Sequence, residues 1–195
     1  MAVSYSDLSD ADLMQKVAQS DSRALEALYN RYSSILYTLI KKIVGDQALA
    51  ESVLVDVYVL IWTKIRFYHR ESGNAYCWLI NLARNKAVDT IRRQKPDQFE
   101  NYEYTDEYEN YFIMPRLSLE IDQLDLATAL QIKGNIEEAL HKLTDAQQYV
   151  IYLAYYEGLT QDEIAAKLKI PVQTVKSKIV IALTNLKDNL LKGGE

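Results

Sequence analysis

The longest apolar pattern in the chain has the spacing of an α-helix. Asp21 precedes the pattern as a residue typical of a helix N-cap, and Gly45 follows it as a residue typical of a helix C-terminus. Between them, apolar side chains recur along one helical face: Leu25, Leu28, Tyr32, Ile35, Leu36, Leu39 and Ile43. A β-strand would require a period of two residues instead. The segment therefore predicts a long helix with one face in a core.

The same signals predict helices along most of the chain. We expect further helices near residues 10–19, 47–65, 75–94, 133–142, 145–157, 161–169 and 172–190. Because only 6 Gly and 3 Pro occur in 195 residues, a turn-rich β-sandwich does not fit. The predicted fold class is all-α, with two small helical domains joined by a long acidic linker.

The C-terminal third indicates a helix-turn-helix. Thr144 with Gln147, and Thr160 with Glu163, have the spacing of two capping boxes, and Pro171 marks a turn before the last helix. On a helical wheel of that helix, the predicted core face consists of Val175, Ile179, Ala182 and Leu186.

Charge is distributed unevenly between the predicted domains. The net charge is −5, yet residues 1–95 hold 13 Lys and Arg against 10 Asp and Glu. Residues 96–133 hold 2 basic and 9 acidic residues, mixed with several tyrosines and without helical periodicity. We therefore predict a first domain at 1–95, an acidic aromatic linker at 96–130 and a second domain at 131–195.

Several classes of protein do not fit the sequence. A lone Cys77 rules out an internal disulfide, and no stretch reaches the roughly 20 apolar residues of a membrane span. His69 and His141 stand apart, and no metal-ligand spacing or phosphate-binding glycine loop occurs. We expect a cytoplasmic protein that is not an enzyme and needs no cofactor or metal.

Three stretches together resemble one protein family. They are AESVLVDVYVLIW at 50–62, AYCWLINLARNKAVDTIRRQK at 75–95 and LTDAQQYVIYLAYYEGLTQDEIAAKLKIPVQTVKS at 143–177. In this order they resemble regions two and four of the extracytoplasmic-function sigma factors, the small bacterial transcription initiation factors of the sigma-70 family. The resemblance implies binding to core RNA polymerase, through its β and β′ subunits, and to promoter DNA.

The resemblance also assigns roles to residues of the first domain. In the 47–65 helix, which is apolar nearly all round, the polymerase-facing positions would be Glu51, Val55, Asp56 and Val59. The family commonly has Asp and Gln where this chain has Ser52 and Val55, so the polymerase contact is altered here. The alternative is that the whole helix lies in the core.

The 75–94 helix resembles the promoter-melting helix of the family. The set expected to bind unpaired promoter bases is Phe67, Tyr68, Asn74, Trp78, Asn81, Arg84, Asn85, Lys86, Arg92 and Arg93. Cations beside aromatic rings suit single-stranded DNA, because the cations hold phosphates and the rings stack on bases. We expect the basic residues, Lys95 included, on the outer face of the helix. The alternative places Trp78 in the core and the cations on a solvated surface.

The last helix carries a polar face of the type that binds duplex DNA. The expected upstream-promoter contacts are Gln173, Thr174, Lys176, Ser177 and Lys178. Beyond them the family usually places basic residues, whereas this chain has Val180, Ile181 and Leu183. With so few cations we expect weak duplex binding. Val180 and Ile181 are either scattered surface residues or a surface for a partner, such as polymerase, an anti-sigma factor or another DNA-targeting protein.

Two other functions remain open on sequence grounds. The altered docking helix and the weakly basic last helix favour a sigma-like regulator or decoy that does not initiate transcription, although the basic 84–95 segment argues against it. A helix-turn-helix repressor would need stronger duplex affinity than the charge of residues 161–186 supports.

Overall fold

A computed structural model describes residues 4–68, 75–94 and 133–192, and within these residues all regular structure is helical. Eight α-helices are α1 (Asp10–Ala18), α2 (Ser22–Val44), α3 (Gln47–Lys64), α4 (Ala75–Gln94), α5 (Lys133–His141), α6 (Asp145–Tyr155), α7 (Gln161–Leu168) and α8 (Val172–Lys192). Short 3₁₀ turns lie at Tyr5–Asp7 and Ile65–Phe67. The predicted all-α fold is confirmed, and each expected helix is present to within about two residues. The expected linker at 96–130 lies outside the described residues.

The described residues belong to two compact units, called unit 1 (up to Gln94) and unit 2 (from Lys133). In unit 1, α2 is central and packs against α1, α3 and α4. Its fully buried residues follow a four-residue spacing: Ala24, Leu28, Tyr32, Leu36 and Ile40. Leu25, Ile35, Leu39 and Ile43, which the helical pattern had also placed inward, are half-buried. Because three helices surround α2, its buried sector winds around the helix rather than following one straight stripe.

Side-chain caps fix where the helices of unit 1 begin. Ser9, Asp21 and Asp46 each accept hydrogen bonds from backbone N–H groups two or three residues further on. These bonds satisfy donors that the first helical turn leaves unpaired. At the other end of α2, Gly45 adopts a left-handed conformation with φ of 77°, which a residue without Cβ reaches at little cost.

An ionic and hydrogen-bonded cluster ties the start of the chain to α2. Arg31 forms an ion pair with Asp10, and its second Nη donates to the backbone carbonyls of Ser6, at 3.1 Å, and Leu8, at 3.0 Å. The hydroxyl of the fully buried Tyr32 donates to the other carboxylate oxygen of Asp10. Burial, followed by this hydrogen bond, raises the pKa of Tyr32 far above its usual range, so Tyr32 stays protonated.

Tyr58 is the second buried tyrosine of unit 1, and the hydrogen bonding of its hydroxyl differs from that of Tyr32. Its ring packs against that of Tyr29, with centroids 4.9 Å apart. Its Oη is buried, and no described residue offers it a hydrogen-bond partner. Burial raises the pKa of Tyr58, as it does that of Tyr32.

Unit 2 is a helix-turn-helix supported by two further helices. Both predicted capping boxes are present, at Thr144 with Gln147 and at Thr160 with Glu163. Helix α8 packs against α5, α6 and α7. The core consists of Val150, Leu153, Ala154, Leu159, Ile164, Ala165, Val175, Ile179 and Leu183. Leu183, read from sequence as part of the apolar segment after the DNA-type face, is only 1% exposed and belongs to this core, whereas Leu186 is half-buried.

The described residues lack two kinds of feature. Of their helices, none combines the length and hydropathy that a membrane crossing requires. In the same residues, no three His, Cys, Asp or Glu side chains are grouped so that they could hold a metal ion.

Candidate functional site

Helix α3 turns one face into the core and leaves another apolar face outside. Its inward residues are Ala50, Val53, Leu54, Val57, Tyr58 and Ile61. All four positions expected to face a partner, Glu51, Val55, Asp56 and Val59, are exposed. An all-core α3 is therefore excluded.

The exposed apolar residues of α3 form a stripe. Val55 is 64% exposed, Val59 is 56% exposed and Trp62 is 37% exposed. Their spacing of four and then three residues places them on one side of the helix. We call these three residues the α3 stripe. Trp62 was not singled out on sequence, although its seven-residue spacing from Val55 indicates a shared face.

Two of the expected DNA-binding cations on α4 are buried, which corrects the sequence interpretation. Arg84 and Arg92 are each 5% exposed and lie on the same face as Val88, at four-residue steps. Helix α4 packs against α1, α2 and α3, so its buried sector is wider than one stripe and includes these positions. Arg84 Nη1 donates to Asn85 Oδ1 at 3.1 Å.

The other two described cations of this set form ion pairs. Lys86 Nζ lies 3.0 Å from Asp56 Oδ2 on α3, and Arg93 Nε lies 3.0 Å from Oδ2 of the buried Asp89. Lys86 is half-buried and Arg93 is exposed, so both stay within reach of solvent. The Asp56–Lys86 pair links the predicted polymerase face to the predicted DNA face. Sequence reasoning missed it, because 30 positions separate the two residues.

The aromatic part of the predicted single-strand site is partly assembled. Tyr68 and Trp78 meet edge to face, with ring centroids 5.8 Å apart, and both are half-buried. Asn81 and Asn85 are half-buried on the same helix as Trp78. Phe67 ends the 3₁₀ turn before Tyr68. Asn74 and Lys95 lie outside the described residues.

The polar face predicted on α8 is exposed. Gln173, Lys176, Ser177 and Lys178 are exposed, and Thr174 is half-buried. The Ser177 hydroxyl donates to the backbone carbonyl of Gln173 at 3.0 Å, so its oxygen keeps only acceptor capacity toward a ligand.

The two apolar residues beyond that face are also exposed. Val180 is 51% and Ile181 53% exposed, whereas their neighbours Ile179 and Ala182 are buried. The two apolar residues that replace the basic residues of the family therefore lie on the surface of α8, next to its polar face.

Comparison with known proteins identifies both halves of the chain. The model of sigma-70 region 2 matches residues 28–96, and that of sigma-70 region 4 matches residues 139–188. The ECF RNA polymerase sigma factor SigK of Mycobacterium tuberculosis (strain ATCC 25618 / H37Rv) is 30% identical over 188 residues, which cover 93% of this chain and 94% of that protein.

The chain belongs to the extracytoplasmic-function RNA polymerase sigma factors. This sigma factor is 28% identical to SigK of Mycobacterium sp. (strain JLS) over 91% of its length and 89% of that protein. Among solved structures it is similar to Rhodobacter sphaeroides SigE in complex with the anti-sigma ChrR, at 22% identity and a TM-score of 0.47, covering 95% and 99% of the two chains.

Membership of this family gives the biochemical role. The sigma factor binds core RNA polymerase and promoter DNA and directs transcription initiation. The family consists of non-catalytic transcription factors. The surfaces described above are therefore candidates for binding rather than for catalysis.

Proposed function

We propose that the sigma factor docks on core RNA polymerase through the α3 stripe. The observation that supports this is the exposure of Val55, Val59 and Trp62 on a helix whose opposite face is fully packed. Large apolar side chains in one exposed patch are typical of protein interfaces, and tryptophan is enriched at their energetic centres. Glu51 and Asp56 on the flanks would face cations of the polymerase.

Helix α4, in this proposal, holds the unpaired strand of the melted promoter. The Tyr68–Trp78 pair offers ring edges and faces for base stacking, and Asn81 offers hydrogen bonds. Lys86 and Arg93 would neutralise phosphates, since both reach solvent. Arg84 and Arg92 are buried and act in the packing of α4 in this state, so they are not part of the proposed contact.

Helix α8 would bind the upstream promoter element with low intrinsic affinity. Lys176 and Lys178 are exposed, but two cations neutralise few phosphates, and phosphate neutralisation supplies most of non-specific affinity. We therefore include a targeting protein that helps to bring this sigma factor to its promoters. A cognate anti-sigma factor is a further proposed partner, which would block docking if it covered the α3 stripe.

Each of the three segments of the chain has its own role in this proposal. Residues 1–95 would act as the polymerase-docking and promoter-melting domain, 96–130 as an acidic connector along the polymerase, and 131–195 as the upstream-element domain. Because its polymerase and promoter partners lie in the bacterial cytoplasm, the sigma factor would act there.

The test of docking compares a stripe variant with a matched control. In Val55→Glu/Val59→Glu two carboxylates enter the stripe, whereas Ser34→Glu places one on an exposed position of α2. We expect the affinity of the stripe variant for bacterial core RNA polymerase to fall tenfold or more, so that the two no longer co-elute. The reason is that burying an unpaired charge costs several kcal/mol. Ser34→Glu should co-elute as the wild type does. Circular dichroism checks that both variants stay folded.

The alternative that the sequence left open, a regulator that does not initiate transcription, conflicts with the initiation role of the family, and a single observation is in its favour. The two described α4 cations that reach solvent, Lys86 and Arg93, are each paired with a carboxylate. Transcription from a pre-melted promoter fragment separates the candidates. Co-elution with initiation supports the first proposal, whereas co-elution without initiation supports the regulator.

A further inference from the structure

Four exposed positions on α8 have the spacing with which helices contact bases in a major groove. Gln173, Lys176, Ser177 and Val180 follow one another at i, i+3, i+4 and i+7, and all four are exposed. Side chains with this spacing face the same way over two helical turns, as they do on recognition helices whose three or four base-contacting residues span that length. We call these four residues the reading face.

Two positions of the reading face, Gln173 and Val180, favour A·T pairs. Gln173 can bind adenine through its amide in a bidentate contact. Guanine is bound in the major groove by Arg or Lys, and since residues 117–195 contain no Arg, Lys176 is the one residue of the reading face that could bind guanine in this way. Val180 has neither donor nor acceptor, and the apolar group that bases present in the major groove is the C5-methyl of thymine.

We propose that Val180, with Ile181 beside it, reads a thymine methyl in the upstream promoter element. The inference rests on the proposed role of α8 in binding that element and specifies what the helix selects there. Val180 is 51% exposed and lies within α8, and the Thr184 hydroxyl donates to its carbonyl at 2.9 Å. A methyl contact would remove both apolar surfaces from water, which gives the exposed valine a favourable role.

The helix geometry also sets the distance between the two selected bases. Gln173 and Val180 are seven residues apart, which is about 10 Å along the helix at a rise of about 1.5 Å per residue. A helix lying along the groove, with base pairs stacked about 3.4 Å apart, therefore places the thymine about three base pairs from the adenine read by Gln173. The predicted upstream element contains an A and a T at that separation.

The site continues a nucleic-acid surface rather than forming an isolated patch. Ser177 and Lys176 lie one turn from Val180 on the same side of α8, and Lys178 flanks Ile181. An apolar residue inside a polar, cationic face fits duplex DNA, because the major groove combines phosphates at its rims with methyl groups at its floor.

The experiment uses the full chain assembled with bacterial core RNA polymerase. Randomised duplexes are first selected by the holoenzyme to obtain the upstream element. Each thymine of that element is then replaced in turn by uracil, which removes only the C5-methyl. We expect one or two positions at which uracil weakens binding about fourfold, the factor equivalent to ~0.8 kcal/mol for one buried methyl. In Val180→Ala holoenzyme, this difference should shrink to near unity at the same position.

A substitution elsewhere on α8 serves as the control for Val180→Ala. Asp188→Ala changes another exposed residue of α8, outside the reading face, and should leave the thymine-to-uracil ratio as in the wild type. If wild-type holoenzyme binds thymine and uracil duplexes equally, or Val180→Ala keeps the difference, the methyl contact is wrong and the two side chains are left for a protein partner. If the holoenzyme selects no upstream sequence at all, the proposed role of α8 itself fails.

Discussion

The hydroxyl groups of two buried tyrosines in unit 1 should affect stability in opposite ways. Tyr32 donates to Asp10, whereas Tyr58 Oη has no hydrogen-bond partner among the described residues. We expect Tyr32→Phe to lower the free energy of unfolding by about 1–2 kcal/mol, because the bond to a charged partner is lost. Tyr58→Phe should leave it unchanged or raise it, because an unsatisfied buried hydroxyl is removed. Urea denaturation followed by circular dichroism measures both.

The two tyrosine substitutions serve as controls for each other. Each removes one oxygen from a buried ring on a helix of unit 1, so differences in hydrophobicity and helix propensity cancel. Equal destabilisation by both would contradict this account and would mean that the Tyr58 hydroxyl is satisfied in solution. Reversal of the order would mean that the Asp10 cluster does not contribute to stability.

The ion pair between α3 and α4 connects the two proposed functions of unit 1. Asp56 lies on the flank of the α3 stripe, and its partner Lys86 belongs to the proposed single-strand surface. In the free chain, the carboxylate reduces the attraction of Lys86 for phosphate. We expect Asp56→Asn to raise the affinity of the free chain for a single-stranded oligonucleotide about two- to fivefold, since exposed ion pairs are worth up to about 1 kcal/mol. Fluorescence anisotropy at low ionic strength measures it.

A second neutralising substitution on α3 tests whether the pair itself matters. Glu51→Gln removes one negative charge from the same helix, but Glu51 accepts a hydrogen bond from Gln47 and is not the partner of Lys86. The rise in affinity should be clearly smaller. A rise as large as that of Asp56→Asn would assign the effect to net charge instead of the ion pair.

Along the sequence, acidity is concentrated between the two proposed domains. Residues 96–133 contain 9 of the 27 acidic residues but only 2 of the 22 basic ones. A polyanionic segment is attracted to the basic walls that polymerase presents to nucleic acid. Replacing those acids by Asn and Gln should weaken binding to core RNA polymerase on the order of tenfold at low ionic strength and make the binding less sensitive to salt. Equilibrium binding to labelled polymerase over a salt series measures both.

The alternative is that residues 96–130 are only a flexible connector. A purely flexible connector would be indifferent to its charge, so the neutral variant would bind polymerase as the wild type does at every salt concentration. A variant with the same acids in shuffled order is the matched control, because it keeps the composition and changes only the positions.

Much of the fold follows from local sequence signals. Helical spacing, N-cap residues and two capping boxes gave the helices of both units and the helix-turn-helix, because these signals act within a few residues of one another. The exposed positions of α8 followed from the same periodicity, whereas those of α3, a helix that is apolar nearly all round, came from the family resemblance. The order of the family motifs also indicated the family, which the comparisons confirm.

Only the tertiary structure decided which polar residues lie inside and which distant residues meet. Arg84 and Arg92 carry charge, and charge predicts exposure, but both are buried on a helix that packs against three others. Leu183 follows two exposed apolar residues in sequence, yet it belongs to the core because α8 packs against three helices. The Asp56–Lys86 and Asp10–Tyr32 contacts join residues on different helices. Such contacts depend on how helices pack against one another, and helical periodicity specifies each helix face without specifying its neighbour.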